Sequence, residues 1–195
     1  MSGYARFAAA LGLAMFAAAA MICGVMLDGY SHREHPLALL GAAGVPGASA
    51  FNAFAFVLPG LSVGVALWAM RSALPATAGW RTRIGMQLAA LSALAFAAQG
   101  LFPLDPGDLG AQANALHALT WTLWWIAFAA ACALLAFGDG SRGFRRAAAV
   151  SAIAVLALAL PPWPGAMAAF APRFAFVVWF VWAMGAGREA RLSRA

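Results

Sequence analysis

Six apolar runs of roughly 20 residues, separated by short punctuated gaps, leave this chain few ways to fold. They fall near residues 7–27, 50–70, 84–102, 114–137, 146–162 and 170–187. Between them stand Asp28, Pro46-Gly47, Arg71 with Pro75, Phe102-Pro103-Leu104-Asp105-Pro106, Gly138-Asp139-Gly140 and Pro161-Pro162-Trp163-Pro164. These are the glycine, proline and charged residues that punctuate helices. Hydrophobic residues make up 65% of the 195 and charged residues only 9%, where soluble domains run near half and about a quarter. A water-exposed globule of this size has too much surface for its volume to hide so much apolar area. The expected fold is therefore all-α: a polytopic integral membrane six-helix bundle, a single membrane domain over 1–195.

Two runs need comment. The first, Phe7 to Leu27, follows Arg6 and imitates a signal peptide. It exceeds the usual apolar length, and Asp28-Gly29-Tyr30 offers no small-residue cleavage site, so it reads as a retained first helix. The fifth is the shortest. It either tilts little, sits in a locally thinned bilayer, or begins before Arg146 with that side chain reaching back to the interface.

All twelve basic residues are arginine, against six acidic ones, for a net charge of +6. In a soluble chain such a balance would suggest nucleic-acid binding, but here the arginines stand almost entirely between apolar runs. Arg6, Arg71, Arg81, Arg83, Arg142, Arg145, Arg146, Arg188, Arg191 and Arg194 fall on one side of a six-crossing topology, and only Arg33 and Arg173 on the other. That bias expects both termini in the cytoplasm of a multi-pass protein of the bacterial inner membrane, with no nucleic-acid partner. Arg81-Thr82-Arg83 and Arg142 through Arg146 are placed to meet anionic lipid head groups. Asp139 and Glu189 read as local charge partners of these arginines. Cys23 and Cys132 fall at different depths, on the order of 20 Å apart by helical rise, too far for a disulfide.

The scarce polar groups gather on the side away from the arginines. Asp28, His32, Glu34 and His35 follow the first run, Asn52 opens the second, Gln99 and Asp105 end the third, and Gln112, Asn114 and His117 open the fourth. Their asymmetry points to an outward-facing polar pocket. His117 is the sharpest candidate, because Asn114, His117 and Thr120 share a helix face and a polar group in an apolar helix needs a partner, water or a cavity. Three readings stand for it: interhelical hydrogen bonding, substrate or proton handling, and metal ligation. Asp105 either ends a solvated turn or folds over the bundle toward His117. Asn52, Gln99 and Gln112 read as cross-helix hydrogen bonders, or as amides that hold a lipid head group or ordered water.

His32, His35, Asp105 and His117 are the candidate metal ligands, for zinc or another divalent ion. Their spacing matches no standard zinc signature. Trp121, Trp124, Trp125 and Phe128 form an aromatic stretch in the fourth run, suited to bundle packing or to holding an apolar chain, with Trp121 and Trp124 as the ligand-facing candidates. Pro59-Gly60 in the second run predicts a kink, and Gly60 with Gly64 predicts close helix packing. No phosphate-binding loop, dinucleotide fingerprint or paired-cysteine motif is present.

The sequence Gly41-x-x-Gly44-x-Pro46 leading to Phe51-Asn52, then Pro59-Gly60, then Gly100-Leu101-Phe102-Pro103-x-Asp105 and His117 resembles the uncharacterised bacterial and archaeal membrane-protein family catalogued as domain of unknown function 998. The resemblance covers about residues 8–187 and implies a six-helix bundle without implying a reaction. Members often carry a Ser-Glu-Leu-Gly-like stretch before the second helix; Ala38-Leu39-Leu40-Gly41 stands there in this chain.

Three functions follow from these residues. The first is binding or transport of a lipid-like or small amphipathic molecule in the outward-facing pocket, lined by Asn52, Gln99, Asp105, Asn114, His117, Trp121 and Trp124. The second is a metal-dependent or acid–base lipid hydrolase or transferase. The third is a structural or accessory subunit of a membrane complex, in contact with lipids, a membrane-protein partner or further copies of itself.

Overall fold

Alanine and leucine, both strong helix formers, fill the apolar runs, and in lipid a helix satisfies every backbone group within its own segment. The computed structural model describes residues 2–108, 110–160 and 162–192, and among these it contains six long helices and no strand. They are α1 (Ser2–Met26), α2 (Ala48–Ser72), α3 (Trp80–Gln99), α4 (Gln112–Ala136), α5 (Arg142–Ala159) and α6 (Ala166–Leu192). A 3-10 turn, Leu37–Gly41, precedes α2. Each helix packs against its neighbours in sequence, and α6 returns to α1, so the six close into a ring. Four of them, α1, α2, α4 and α6, are long and apolar enough to cross a membrane. Helices α3 and α5 begin with arginines, Arg81 and Arg83 in one and Arg142, Arg145 and Arg146 in the other.

The short fifth run has a structural answer. Helix α5 begins four residues before Arg146, at Arg142, because Ser141 caps it: the Ser141 Oγ accepts from the Phe144 amide at 3.3 Å. Such a side-chain acceptor replaces one of the partners missing at a helix start. At Pro59 the expected irregularity takes the form of a π-helical stretch, Ala53–Val57, just upstream. Proline lacks the amide that would continue the ladder, and the wider turn accommodates the interruption. One residue later Gly60 touches α3 so closely that a Cβ would lie 2.7 Å from the Ala97 nitrogen and 2.9 Å from the Ala93 carbonyl oxygen. Gly64 is less crowded, its nearest neighbour being the Ala93 Cβ at 3.5 Å.

The centre of the ring is filled by aromatic rings. Phe16, Phe56, Phe96, Phe176, Trp179 and Phe180 are buried together, with Phe96 stacked on Trp179 at 4.7 Å and set edge-on to Phe176 at 5.0 Å. One polar contact lies within this core: the Trp179 Nε1 donates to the Ser92 Oγ at 3.1 Å, and Ser92 in turn donates to the Ala89 carbonyl. The periphery is apolar, with Val25, Met26, Phe7, Leu119, Val150 and Ile153 all more than half exposed. Cys23 and Cys132 are free thiols.

Candidate functional site

The two ends of the ring use their polar residues differently. At the end away from the arginines, loop residues brace one another. The Ala43 amide donates to the Leu104 carbonyl at 2.7 Å, joining the segment before α2 to the one after α3. Asn52 donates from its Nδ2 to the Gly41 carbonyl at 2.8 Å, tying the first turn of α2 to the 3-10 turn. Asn114 makes three bonds to the preceding loop: its Oδ1 accepts from the Asp105 amide at 2.7 Å, and its Nδ2 donates to the carbonyls of Asp105 and Asp108 at 3.0 and 2.9 Å.

Asp105 does not bond His117. Its Oδ1 accepts from the amides of Gly107 and Asp108 at 3.0 and 3.3 Å, the local turn that a short carboxylate favours. His117 Nδ1 instead lies 2.8 Å from the Phe102 carbonyl. A carbonyl only accepts, so Nδ1 is the donor in this contact. The His117 carbonyl accepts from Thr120 Oγ1 at 2.9 Å. Gln99 is only 2% exposed, and its Nε2 has no partner among the described residues. Gln112 is exposed.

His32 and His35 belong to a separate cluster. Tyr30 stacks on His35 at 5.6 Å and meets His32 edge-on at 5.1 Å. Arg173 reaches across from α6, donating to the Tyr30 hydroxyl at 2.6 Å and to the His35 carbonyl at 3.2 Å, and it also bonds the Ala169 carbonyl. The His35 Nδ1 accepts from the Ser31 amide at 3.0 Å. Burial pushes the His32 imidazole below its ordinary value, and the Arg173 charge adds to the effect. Burial also raises the Tyr30 phenol, outweighing the opposite pull of Arg173. Asp28, Arg33 and Glu34 are exposed.

The four candidate metal ligands are thus divided among different local networks. Among the described residues no group of three or more His, Cys, Asp or Glu side chains is placed to hold a metal ion. The aromatic stretch of α4 turns inward: Trp124 is fully buried, 4.7 Å from the Phe176 ring, and Trp121 packs on both at 5.1 and 5.5 Å. These rings meet one another and α6: Trp124 lies in the core and Trp121 is half-buried against it.

The arginine-rich end holds a cavity of about 470 Å3. Met70, Leu74, Met86, Leu135, Phe144 and Ala186 supply apolar wall, and Thr77, Thr82, Asp139 and Glu189 supply polar atoms. Both carboxylates are held by neutral donors. Asp139 Oδ2 accepts from the Gly79 amide at 2.6 Å and from Thr82 Oγ1 at 3.0 Å. These two bonds hold the Asp139 carboxyl below its usual range. Glu189 accepts from the Ser141 amide at 2.5 Å and from the Ser141 hydroxyl at 2.7 Å. Among the described residues both carboxylates are bonded by amides and hydroxyls at the starts of α3 and α5, and neither hydrogen-bonds an arginine. Arg83 turns to the carbonyls of Pro75, Ala76 and Ala78 instead.

Sequence reasoning missed this cavity because its walls come from α2, α3, α4, α5 and α6. The available signal was that Asp139 and Glu189 are acidic residues in an arginine-rich setting.

Neither the curated proteins nor the solved structures contain a match to the chain. A family model does match, over residues 10–189. The six-helix ring with membrane-length apolar helices agrees with that match, and the chain belongs to the family described as protein of unknown function (DUF998).

Proposed function

We propose that this multi-pass membrane protein binds a small amphipathic molecule with a basic head group, and that it does so in the cavity at the arginine-rich end. The observation that carries the reading is the cavity's composition: an apolar wall closed by two carboxylates that no arginine neutralises through a hydrogen bond among the described residues. Its volume of about 470 Å3 lies within the usual range for small-molecule sites. An apolar body would sit against Met70, Leu74, Met86 and Phe144, and a cationic head would meet Asp139 and Glu189. Two carboxylates at one site favour a cation and repel an anion, so the site would discriminate by sign. The arginine bias supports a cytoplasmic location for both termini and for the cavity mouth, in a bacterial inner membrane. On this reading the polar residues at the opposite end serve to hold loops together.

The test is equilibrium binding of tetraphenylphosphonium and of its near-isosteric anion tetraphenylborate to protein in nanodiscs, with protein-free nanodiscs as background. Saturable binding of the cation alone is expected, weakened several-fold by Glu189→Gln, which retains an oxygen for Ser141. Equal binding of both ions, or a cation affinity indifferent to Glu189→Gln in folded protein, would overturn the reading.

A second reading, a structural or accessory subunit, is favoured by the filled aromatic core and the loop-bracing bonds of Asn52 and Asn114. It expects no saturable binding of either ion.

A further inference from the structure

A second concave surface lies at the arginine-rich end, outside the ring, and is independent of the cavity. Helix α4 ends at Ala136 and α5 begins at Arg142, and between them runs a groove of about 330 Å3 lined by Ala136, Phe137, Arg142, Arg145, Arg146 and Ala149. The three arginines are exposed and fall at i, i+3 and i+4, so they share one side of α5. Arg145 is held at the groove by its Nε, which donates to the Ala136 carbonyl at 3.0 Å. Phe137, on the opposite wall, is 69% exposed.

The side of α5 that carries Arg146 continues along the helix through Val150, Ile153 and Leu160, which are 65%, 69% and 60% exposed. From Arg146 to Leu160 the chain rises about 21 Å at roughly 1.5 Å per residue, enough to cover the roughly 15 Å of one leaflet's hydrocarbon. A cationic groove therefore opens directly onto an apolar track of acyl-chain length. An acidic peptide or a nucleic acid would match the groove and leave the track uncovered. A bilayer lipid with an anionic head matches both.

We infer that the groove between the end of α4 and the start of α5 is a binding site for the phosphate of an anionic phospholipid, whose acyl chain lies along the Val150–Ile153–Leu160 face of α5. Arg142, Arg145 and Arg146 hold the phosphate, with guanidinium forks suited to its paired oxygens. Phe137 covers the glycerol region.

Native mass spectrometry of the whole chain released from nanodiscs containing equal phosphatidylglycerol and phosphatidylcholine tests the assignment. Retention of one phosphatidylglycerol in preference to phosphatidylcholine is expected. Arg145→Gln with Arg146→Gln should lower that retention about 25-fold, at about 1 kcal/mol for each of two interfacial charges and 1.4 kcal/mol per decade. Arg6→Gln removes a different exposed arginine at the same end, near the start of α1, and should leave retention unchanged.

Equal retention of both lipids by the unsubstituted chain overturns the site without recourse to any variant. An equal loss with Arg6→Gln reduces the effect to bulk charge and also overturns it. Thermal stabilisation by inorganic phosphate alone, equal to that by phosphatidylglycerol, would show that the groove takes free anions and not a lipid.

Discussion

Thr82 and Asp139 exchange two hydrogen bonds across the loops at the arginine-rich end. Thr82 Oγ1 donates to Asp139 Oδ2 and accepts from the Asp139 amide, each at 3.0 Å. With the Gly79 amide on the same carboxylate oxygen, this pair ties the start of α3 to the turn between α4 and α5. It thereby sets one edge of the cavity. Thr82→Val keeps the shape and deletes both bonds. Amide exchange at Gly79 and Asp139 should accelerate while exchange in the middle of α3 and α4 stays slow. Because the bonds hold the Asp139 carboxyl low, they form fully above the ordinary carboxylate value of 3.8 and fail as pH falls through the lower, folded value. The acid-induced loss of protection at Gly79 should therefore move to higher pH in the variant.

Helix packing at Gly60 is tighter than at Gly64, although both positions have the same residue and lie on the same helix face. Gly60→Ala would set a methyl 2.7 Å from the Ala97 nitrogen, against backbone that cannot turn aside. Thermal unfolding in detergent should show a cost of ~1–3 kcal/mol, typical of overpacking. Gly64→Ala, at 3.5 Å from the Ala93 Cβ, should be near neutral. Equal effects from the two would refute the close approach at Gly60.

His117 serves the turn after α3, through the Phe102 carbonyl. His117→Leu should cost about 1 kcal/mol of stability, the usual net value of one such bond. It should not alter tetraphenylphosphonium binding, because the cavity lies at the other end of the bundle. A large loss of binding in folded His117→Leu protein would return the ligand site to the polar end.

The Tyr30, His32, His35 and Arg173 cluster should respond to pH. His32 is depressed below 6.5 by burial and by Arg173, so the unfolded chain binds its proton more readily than the folded one. Stability is full above pH 6.5 and declines as pH falls from there through the lower, folded value. Melting temperature measured across that window should drop in the natural chain. The drop should shrink in His32→Gln, which cannot titrate, and an unchanged slope would assign the effect elsewhere.

The helical content was legible from residues alone, since lipid offers a backbone no other hydrogen-bond partner and the apolar runs are of bilayer length. The interruption at Pro59 was legible too, because proline's missing amide is a local fact. So was the bond from Asn52 across a helix junction, to which an amide in an apolar setting is driven. The start of α5 was legible only once Ser141 was seen to cap it, since a serine among glycines has no orientation in a sequence.

What sequence alone determined, then, is what depends on a residue and its near neighbours: the helices, their boundaries within a few residues, and the chain's incompatibility with water. Tertiary structure alone decided which polar groups meet. Asp105 and His117 stand twelve positions apart and turned to different partners, because each found a backbone group in its own loop before reaching the other. Asp139 met Thr82 across 57 positions and Glu189 met Ser141 across 48, and the cavity between them exists only because five helices converge there. Hydrogen bonds act over about 3 Å, so the partner of a polar side chain is set by which helices the packing brings within that distance.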